Sequence, residues 1–176
     1  MARIFLAYST TDGHTLEICE RLQEVIEGEG HEVILTSVAE AMPVNLEAFD
    51  KIVIGASIRY GRHSKQVHEF IAHNAEVLAR KPNAFFSVNV VARKPEKNRP
   101  ETNPYLQKFL RKIAWRPSEL AVFAGKIDYP RYGLLDRQMI RFIMWMTKGP
   151  TDPAAVVDFT DWDAVEAFGR RLCGEL

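Results

Sequence analysis

The sequence predicts a doubly wound α/β fold, with five parallel strands in the order 2-1-3-4-5 and helices on both faces of the sheet. Three observations lead there. Five short apolar runs alternate along the chain with segments of helical period. The third run, Lys51-Ile52-Val53-Ile54-Gly55-Ala56, is apolar almost throughout, as a strand covered on both faces should be. Right-handed crossovers and a length of 176 residues then favour that strand order, with a ligand at the switch between the first and third strands.

Each element has its own signal. Residues 4–8 form the first strand, and Leu16, Cys19, Leu22, Val25 and Ile26 recur at the spacing of a helix over 16–27. Gly28 and Gly30 punctuate a turn into a second strand over 31–37, marked by Val33, Ile34 and Leu35. Residues 38–49 read as a loop with a weak helical turn over 45–49. After the third strand comes an amphipathic helix over 64–78, with Val67, Phe70, Ile71 and Leu78 on its inner side. Strands over 83–88 and 120–125 flank a helix over 103–113. A last helix over 161–172 turns Val165, Phe168 and Leu172 inward. Two segments exceed a minimal five-strand unit: a polar loop over 89–104 with three prolines, and a long excursion over 126–156. Long ordered loops in compact domains are more often functional than decorative. The chain, 1–176, reads as one domain with 126–156 inserted in it.

Hydrophobic residues make up 47% and charged residues 26%, a globular balance. Lys plus Arg equals Asp plus Glu at 23 each, so no net field steers the chain towards nucleic acid, and no such partner is expected. Cys19 and Cys173 have neither metal nor disulfide spacing, which fits a reducing compartment. The N-terminus lacks a secretory signal, and no apolar run approaches the roughly 20 residues of a membrane span. The expectation is a cytosolic protein, or one held peripherally on the cytoplasmic side of the cell membrane.

The stretch between the first strand and first helix carries the chemistry. Ser9, Thr10, Thr11, Asp12, Gly13, His14 and Thr15 set four hydroxyls around one glycine at a helix N-terminus. Free backbone N–H groups and the positive end of the helix dipole suit a phosphate there, and the hydroxyls add hydrogen bonds. The ordinary alternative is a strand-to-helix turn with Ser or Thr as its N-cap. The Gly-Lys-Ser/Thr ending of a nucleoside-triphosphate loop is missing, as are the spaced glycines of a dinucleotide fingerprint, which points to a mononucleotide monoester. Asp12 would repel such a ligand unless it points away or caps the helix. The switch-point geometry brings two further loops to this seat. One is Ala56-Ser57-Ile58-Arg59-Tyr60-Gly61, where an aromatic ring beside glycine can stack on a flat ligand. The other is Ser87-Val88-Asn89-Val90-Val91-Ala92-Arg93, with backbone amides and Asn89 available to a ligand's edge.

These loops, with Val91-Ala92-Arg93-Lys94-Pro95-Glu96-Lys97, Tyr129-Pro130-Arg131-Tyr132 and Thr160-Asp161-Trp162, carry a resemblance over essentially the whole chain. The chain resembles the flavodoxin-like menaquinone-dependent protoporphyrinogen IX dehydrogenases of bacterial haem synthesis. The Ala-Ser-Ile-Arg-Tyr-Gly and Val-Ala-Arg-Lys-Pro-Glu-Lys strings are the specific part; the phosphate loop alone marks only the wider FMN superfamily. The resemblance implies a flavodoxin-like three-layer sandwich with its long insertion after the fifth strand. It implies FMN held by three loops: Ser9 to Thr15 on the phosphate, Ala56 to Gly61 along one side of the isoalloxazine, and Ser87 to Arg93 at its other edge. It implies a six-electron oxidation of protoporphyrinogen IX to protoporphyrin IX in three two-electron steps, with menaquinone or ubiquinone as acceptor. The flavin then does the redox work, and no acid–base triad is expected.

Basic residues gather on the ligand-side loops: Arg59, Arg62, Arg93, Lys94, Lys97 and Arg99. Arg59, Arg93 or Lys94 could hold a substrate propionate, since Arg binds carboxylates through paired hydrogen bonds; the alternative is solvated surface charge. In the excursion, a helix over 132–147 puts Leu135, Met139, Phe142, Ile143 and Met146 on one face and Arg137, Gln138, Arg141 and Lys148 on the other. That is the pattern of a basic amphipathic helix in a membrane interface, and residues 132–148 are read as the membrane contact. The competing readings are a cover for the domain's own core or a subunit contact in a homo-oligomer. Two other functions compete: a general flavodoxin-type electron carrier or quinone reductase, and a non-catalytic porphyrin-binding module. The neutral charge argues against a carrier, because carriers of this fold are typically acidic to dock on basic partners.

Overall fold

The computed structural model describes residues 1–174. Strands β1 (Arg3–Ser9), β2 (Glu32–Ser37), β3 (Lys51–Ser57), β4 (Asn83–Asn89) and β5 (Glu119–Ala124) form one parallel sheet in the order β2-β1-β3-β4-β5. The helices between them are α1 (His14–Gly28), the short α2 (Val38–Ala41), α3 (Lys65–His73), α4 (Ala75–Arg80) and α5 (Pro104–Leu110). After β5 come β6 (Lys126–Asp128), α6 (Leu134–Met146), β7 (Val156–Asp158) and α7 (Trp162–Cys173).

Two cores, one on each face, follow from strand alternation. Successive side chains point to opposite faces. Phe5 and Ala7 join Ile52, Ile54 and Phe85 under α2, α3, α4 and α5, while Ile4 and Leu6 join Val53, Phe86 and Phe123 under α1 and α7. Ile18, Leu22 and Ile26 of α1 and Val165, Phe168 and Leu172 of α7 complete the second core. The expected order and both helical layers are found.

Local chemistry refines the expected elements. The helix expected over 64–78 is two, α3 and α4, parted at Asn74, whose side chain donates to the Phe70 carbonyl at 2.9 Å. Lys51 opens β3 and is buried. Its ammonium pairs with Glu119 at 2.7 Å and donates to the Leu172 carbonyl at 2.9 Å, tying β3 to β5 and to the end of α7. The excursion has a core of its own. β6 and β7 pair antiparallel, and Ile127, Tyr129, Tyr132 and Met144 pack together beside them. The sequence reading missed this ribbon, because strands of three residues leave no period to detect.

Helix α6 ends in a Schellman motif: Lys148 takes a left-handed conformation (φ 59°) and the Gly149 N–H reaches back to the Met144 carbonyl at 2.7 Å. Among the described residues, no helix is long and apolar enough to cross a membrane.

Candidate functional site

The carboxyl ends of β1, β3 and β4 open into a cavity of about 540 Å³. That lies within the usual range for a small-molecule or cofactor site. Its floor includes Thr10, Thr11, Asp12, His14 and Thr15, and its sides include Ser57 to Gly61 and Val88 to Val91. Of the residues expected at the site, Ser9 lines a smaller polar pocket of about 300 Å³ next door, with Thr11, Ser57, Arg59 and Arg62. Gly13, Ala56, Ser87, Ala92, Arg93 and Lys94 are outside the cavity lining and support it from behind or beside.

The turn before α1 is built to leave donors free. Gly13 is left-handed (φ 91°), a conformation glycine takes without cost, and it stands at the N-cap with no side chain to satisfy the first-turn N–H groups. Its own N–H is taken by the Thr10 hydroxyl at 2.9 Å. Thr15 is buried, and its hydroxyl oxygen has no hydrogen-bond partner within the protein. An orphaned buried hydroxyl costs about 1–3 kcal/mol. An anion at the helix N-terminus would satisfy it together with the free N–H groups. His14 contributes bracing: its ring lies 2.9 Å from Glu17 and 2.6 Å from the Thr160 hydroxyl, which itself donates to the Ala124 carbonyl at 2.9 Å.

Asp12 neither caps the helix nor faces an anion alone. Its carboxylate pairs with the Arg59 guanidinium, which removes the expected repulsion. Burial pushes the Asp12 carboxyl above its ordinary range, against the opposing pull of Arg59 and Arg131.

After β3 the chain makes a two-residue hairpin. Arg59 and Arg62 exchange N–H···O bonds of 3.0 and 3.3 Å, with Tyr60 (φ 51°) and Gly61 (φ 78°) both left-handed, as in a type I′ turn. Tyrosine is unusual at that position, and the turn sets its half-exposed ring at the cavity edge.

The loop after β4 uses its polar side chains differently from the sequence reading. Asn89 borders the cavity, but its carboxamide is spent inside the protein: it donates to the Ser87 hydroxyl at 3.1 Å and accepts from the Ala92 N–H at 3.2 Å and from Asn103 at 2.9 Å. Val88, Val90 and Val91 of this loop border the cavity beside it. Behind it, buried His63 bridges the two loops, 3.1 Å from the Ser57 carbonyl and 3.4 Å from the Ser87 hydroxyl. Burial pulls its pKa down to about 4.

Arg93 is bonded within the protein. Its guanidinium donates to the Val90 carbonyl at 3.1 Å, the Thr147 carbonyl at 2.8 Å and the Thr147 hydroxyl at 3.2 Å, clamping the β4 loop to the end of α6. Lys94 stands beside it, away from the cavity lining. Of the six basic residues expected on the ligand side, only Arg59 borders the main cavity.

The excursion supplies the part that sequence reasoning missed. Ile127, Asp128, Arg131 and Tyr132 line the cavity, as do Met139, Ile140, Ile143 and Met144 of α6, so the insertion forms the roof. The Tyr129-Pro130-Arg131-Tyr132 string was a usable signal, since it lies in a long loop after a sheet strand. The division of α6 is also revised. Ile143 turns inward with Ile140 and Met144, Leu135, Phe142 and Trp145 are exposed, and Met139 and Met146 are half-exposed at the cavity rim. The expected basic face is only partly solvated: Gln138 and Lys148 are exposed, but Arg137 donates to the Tyr129 carbonyl at 3.2 Å and Arg141 to the Thr151 carbonyl at 2.8 Å.

With this geometry in view, the relatives of the chain decide its family. A flavodoxin domain model matches residues 5–154. An Escherichia coli (strain K12) protein named protoporphyrinogen IX dehydrogenase [quinone] is 43% identical over 97% of this chain and 94% of its own length. A Leishmania major protein of the same name is 39% identical over 94% of this chain and 72% of its own. The chain belongs to this family of flavodoxin-domain proteins. Solved flavodoxins share its fold: oxidised flavodoxin 1 from Bacillus cereus superposes with a TM-score of 0.58 at 15% identity, each chain 99% covered. A flavodoxin from the domain Archaea gives 0.52 at 16% identity, with 97% of this chain and 95% of that one covered. The cavity lies at the β1/β3 switch point, the place where sheets of this strand order take their ligands.

Proposed function

We propose that the chain binds FMN and oxidises protoporphyrinogen IX to protoporphyrin IX, with a membrane quinone, menaquinone or ubiquinone, as electron acceptor. The observation that carries the cofactor half is Thr15: a buried, unpartnered hydroxyl beside free helix N–H groups fits a phosphate monoester. Ser9, Thr10, Thr11, Gly13 and His14 would complete that seat. Residues 56–61 and 87–93 would border the isoalloxazine, chiefly through backbone. When bound, the flavin supplies reversible two-electron chemistry.

The protein's contribution is placement and exclusion. The roof of Met139, Ile140 and Ile143 keeps water from the reacting face and offers an apolar wall to a flat tetrapyrrole. Oxidation of the porphyrinogen releases six electrons and six protons, which three quinones accept in pairs. The likeness in sequence to the named dehydrogenases supports this substrate and acceptor. The near-complete coverage, and the apolar roof that a small electron carrier would not need, favour it over a general carrier.

The exposed stripe Leu135, Met139, Phe142, Trp145 and Met146 supports peripheral attachment to the cytoplasmic face of the membrane, where the quinone lies. Thirteen residues give α6 a length of about 20 Å, enough to lie in an interface but not to span it. A homo-oligomer would cover the same stripe, and vesicle binding separates the two.

The test is an anaerobic visible spectrum. A flavin band that bleaches with protoporphyrinogen IX and returns with quinone is the expected result. A band indifferent to the porphyrinogen refutes the substrate, and failure to take up FMN refutes the cofactor.

A further inference from the structure

Arg59 is an incompletely satisfied cation at the cavity rim. One arm of its guanidinium pairs with Asp12. The other nitrogen, Nη1, is buried and makes no hydrogen bond; the nearest carboxylate oxygen, Oδ2 of Asp136, stands 3.8 Å away. The Tyr60 and Tyr132 rings flank the guanidinium, their centroids 5.9 and 5.4 Å from its Cζ. Asp136 lies in the first turn of α6 and accepts a hydrogen bond from the Tyr60 hydroxyl. Thus α6 is tied across the cavity at both ends, and unequally. Its C-terminal tie is Arg93, bonded twice to Thr147. The N-terminal tie is Asp136, about half exposed, against Tyr60 and Arg59.

We propose that Arg59 is the seat for a substrate carboxylate, and that Asp136 is the chain's own carboxylate, standing at that seat and exchanging with the incoming one. A ligand carboxylate that reaches Nη1 completes the guanidinium with a charge-assisted bond that Asp136, held by Tyr60, does not make. Displacing Asp136 removes the tie of α6 to the β3 loop and leaves its first turn held through Arg137 on the Tyr129 and Tyr132 carbonyls, while Arg93 keeps the other end fixed, so the roof loosens from the Tyr60 side. The ligand class is an apolar flat body bearing a carboxylate, and the device rewards such a ligand over its neutral ester. This inference rests on the porphyrinogen reading above and adds the residue pair that selects for the acid.

The experiment titrates the FMN-loaded protein with protoporphyrin IX and with its dimethyl ester, and follows hydrogen exchange in α6. The wild-type protein is expected to favour the acid at least tenfold. Arg59→Gln should bring that ratio near one. Asp136→Asn, which removes the competing charge from an exposed site, should raise it several-fold. The acid, but not the ester, should speed exchange in the first two turns of α6 and leave the last turn protected. An acid-to-ester ratio unmoved by both substitutions, or exchange in α6 indifferent to the acid, overturns the carboxylate exchange. If porphyrinogen still bleaches the flavin in that case, only the Arg59 seat falls. If neither porphyrin binds and porphyrinogen leaves the flavin oxidised, the substrate reading falls with it.

Discussion

Gly55 offers a sharp test of how the sheet delivers its loops. It pairs with Phe86 on the neighbouring strand, and a Cβ built on it would lie 2.1 Å from the Cζ of that ring and 2.6 Å from both Cε atoms. Ordinary contact begins near 3.4 Å, so Gly55→Ala requires the ring to retreat by about 1.3 Å (3.4 − 2.1). The ring has little room to do so. Phe86 is fully buried, and Phe123 and Phe168 stand edge-on to it with centroids 5.5 and 6.1 Å away. Overpacking a tight core costs about 1–3 kcal/mol, and a displacement this large belongs at the upper end. Alanine returns about 0.5–1 kcal/mol over glycine inside a strand. The net expectation is a loss of about 2 kcal/mol, or about 4–8 °C in Tm for a chain of this size. The assay is thermal and urea unfolding of Gly55→Ala, Phe86→Leu and the double variant. Leucine lacks the ring atoms that collide, so the double variant should be more stable than the sum of the single losses by about 1–2 kcal/mol. A Gly55→Ala Tm within 1 °C of wild type, or strictly additive losses, would refute the account of why glycine stands there.

Thr15→Val removes an orphaned buried hydroxyl, so it should stabilise the apoprotein by about 1 kcal/mol while weakening FMN binding about tenfold; equal apoprotein stability with unchanged FMN affinity would count against the phosphate seat. Lys51→Met takes from Glu119 its closer cation and leaves only Arg171 at 3.4 Å, so it should cost about 1–3 kcal/mol, with part of it recovered when Glu119→Leu is added, measured by urea unfolding. For His63 the folded pKa is about 4 against an ordinary 6.5, so below pH 6.5 the unfolded chain takes up a proton that the folded chain refuses. Stability should therefore fall as pH drops from 6.5 towards 4, by up to about 3 kcal/mol, and stay flat above 6.5. Comparing urea midpoints at pH 7 and pH 4.5 for wild type and His63→Gln isolates this contribution, which the variant should lack. Lys148→Gly relieves a left-handed residue at the end of α6 and should raise stability by about 0.5–1 kcal/mol, read as a higher urea midpoint with an unchanged m value.

Much of the fold was legible because burial on two faces imposes long-range pattern. Strands such as Phe5-Leu6-Ala7 and Ile52-Val53-Ile54 cannot be mistaken for surface segments, and α1 and α7 show an apolar stripe at every turn. What escaped were features set by single contacts. The break between α3 and α4 depends on where the Asn74 side chain bonds, and the β6–β7 ribbon is held by three residue pairs and the small core of Tyr129, Tyr132 and Met144. The turn before α1 was readable because its backbone demand, a left-handed glycine before a helix, selects residue types directly.

The loop cations show why the rim of the site was harder to read. A sequence counts basic residues, but backbone carbonyls at helix ends and tight turns compete for each guanidinium. Arg93, Arg137 and Arg141 are all spent on carbonyls of the β4 loop and the insertion. Arg59 alone reaches the main cavity from the expected basic set, and it arrives between two carboxylates, Asp12 and Asp136. The neutral total of the chain thus reflects pairing built residue by residue, not a lack of charge. A ligand that meets this rim gains little from long-range attraction and must displace a local partner to bind. Such a site discriminates by what the ligand itself carries: an apolar body for the wall of Met139, Ile140 and Ile143, and a carboxylate able to take the place that Asp136 holds at Arg59.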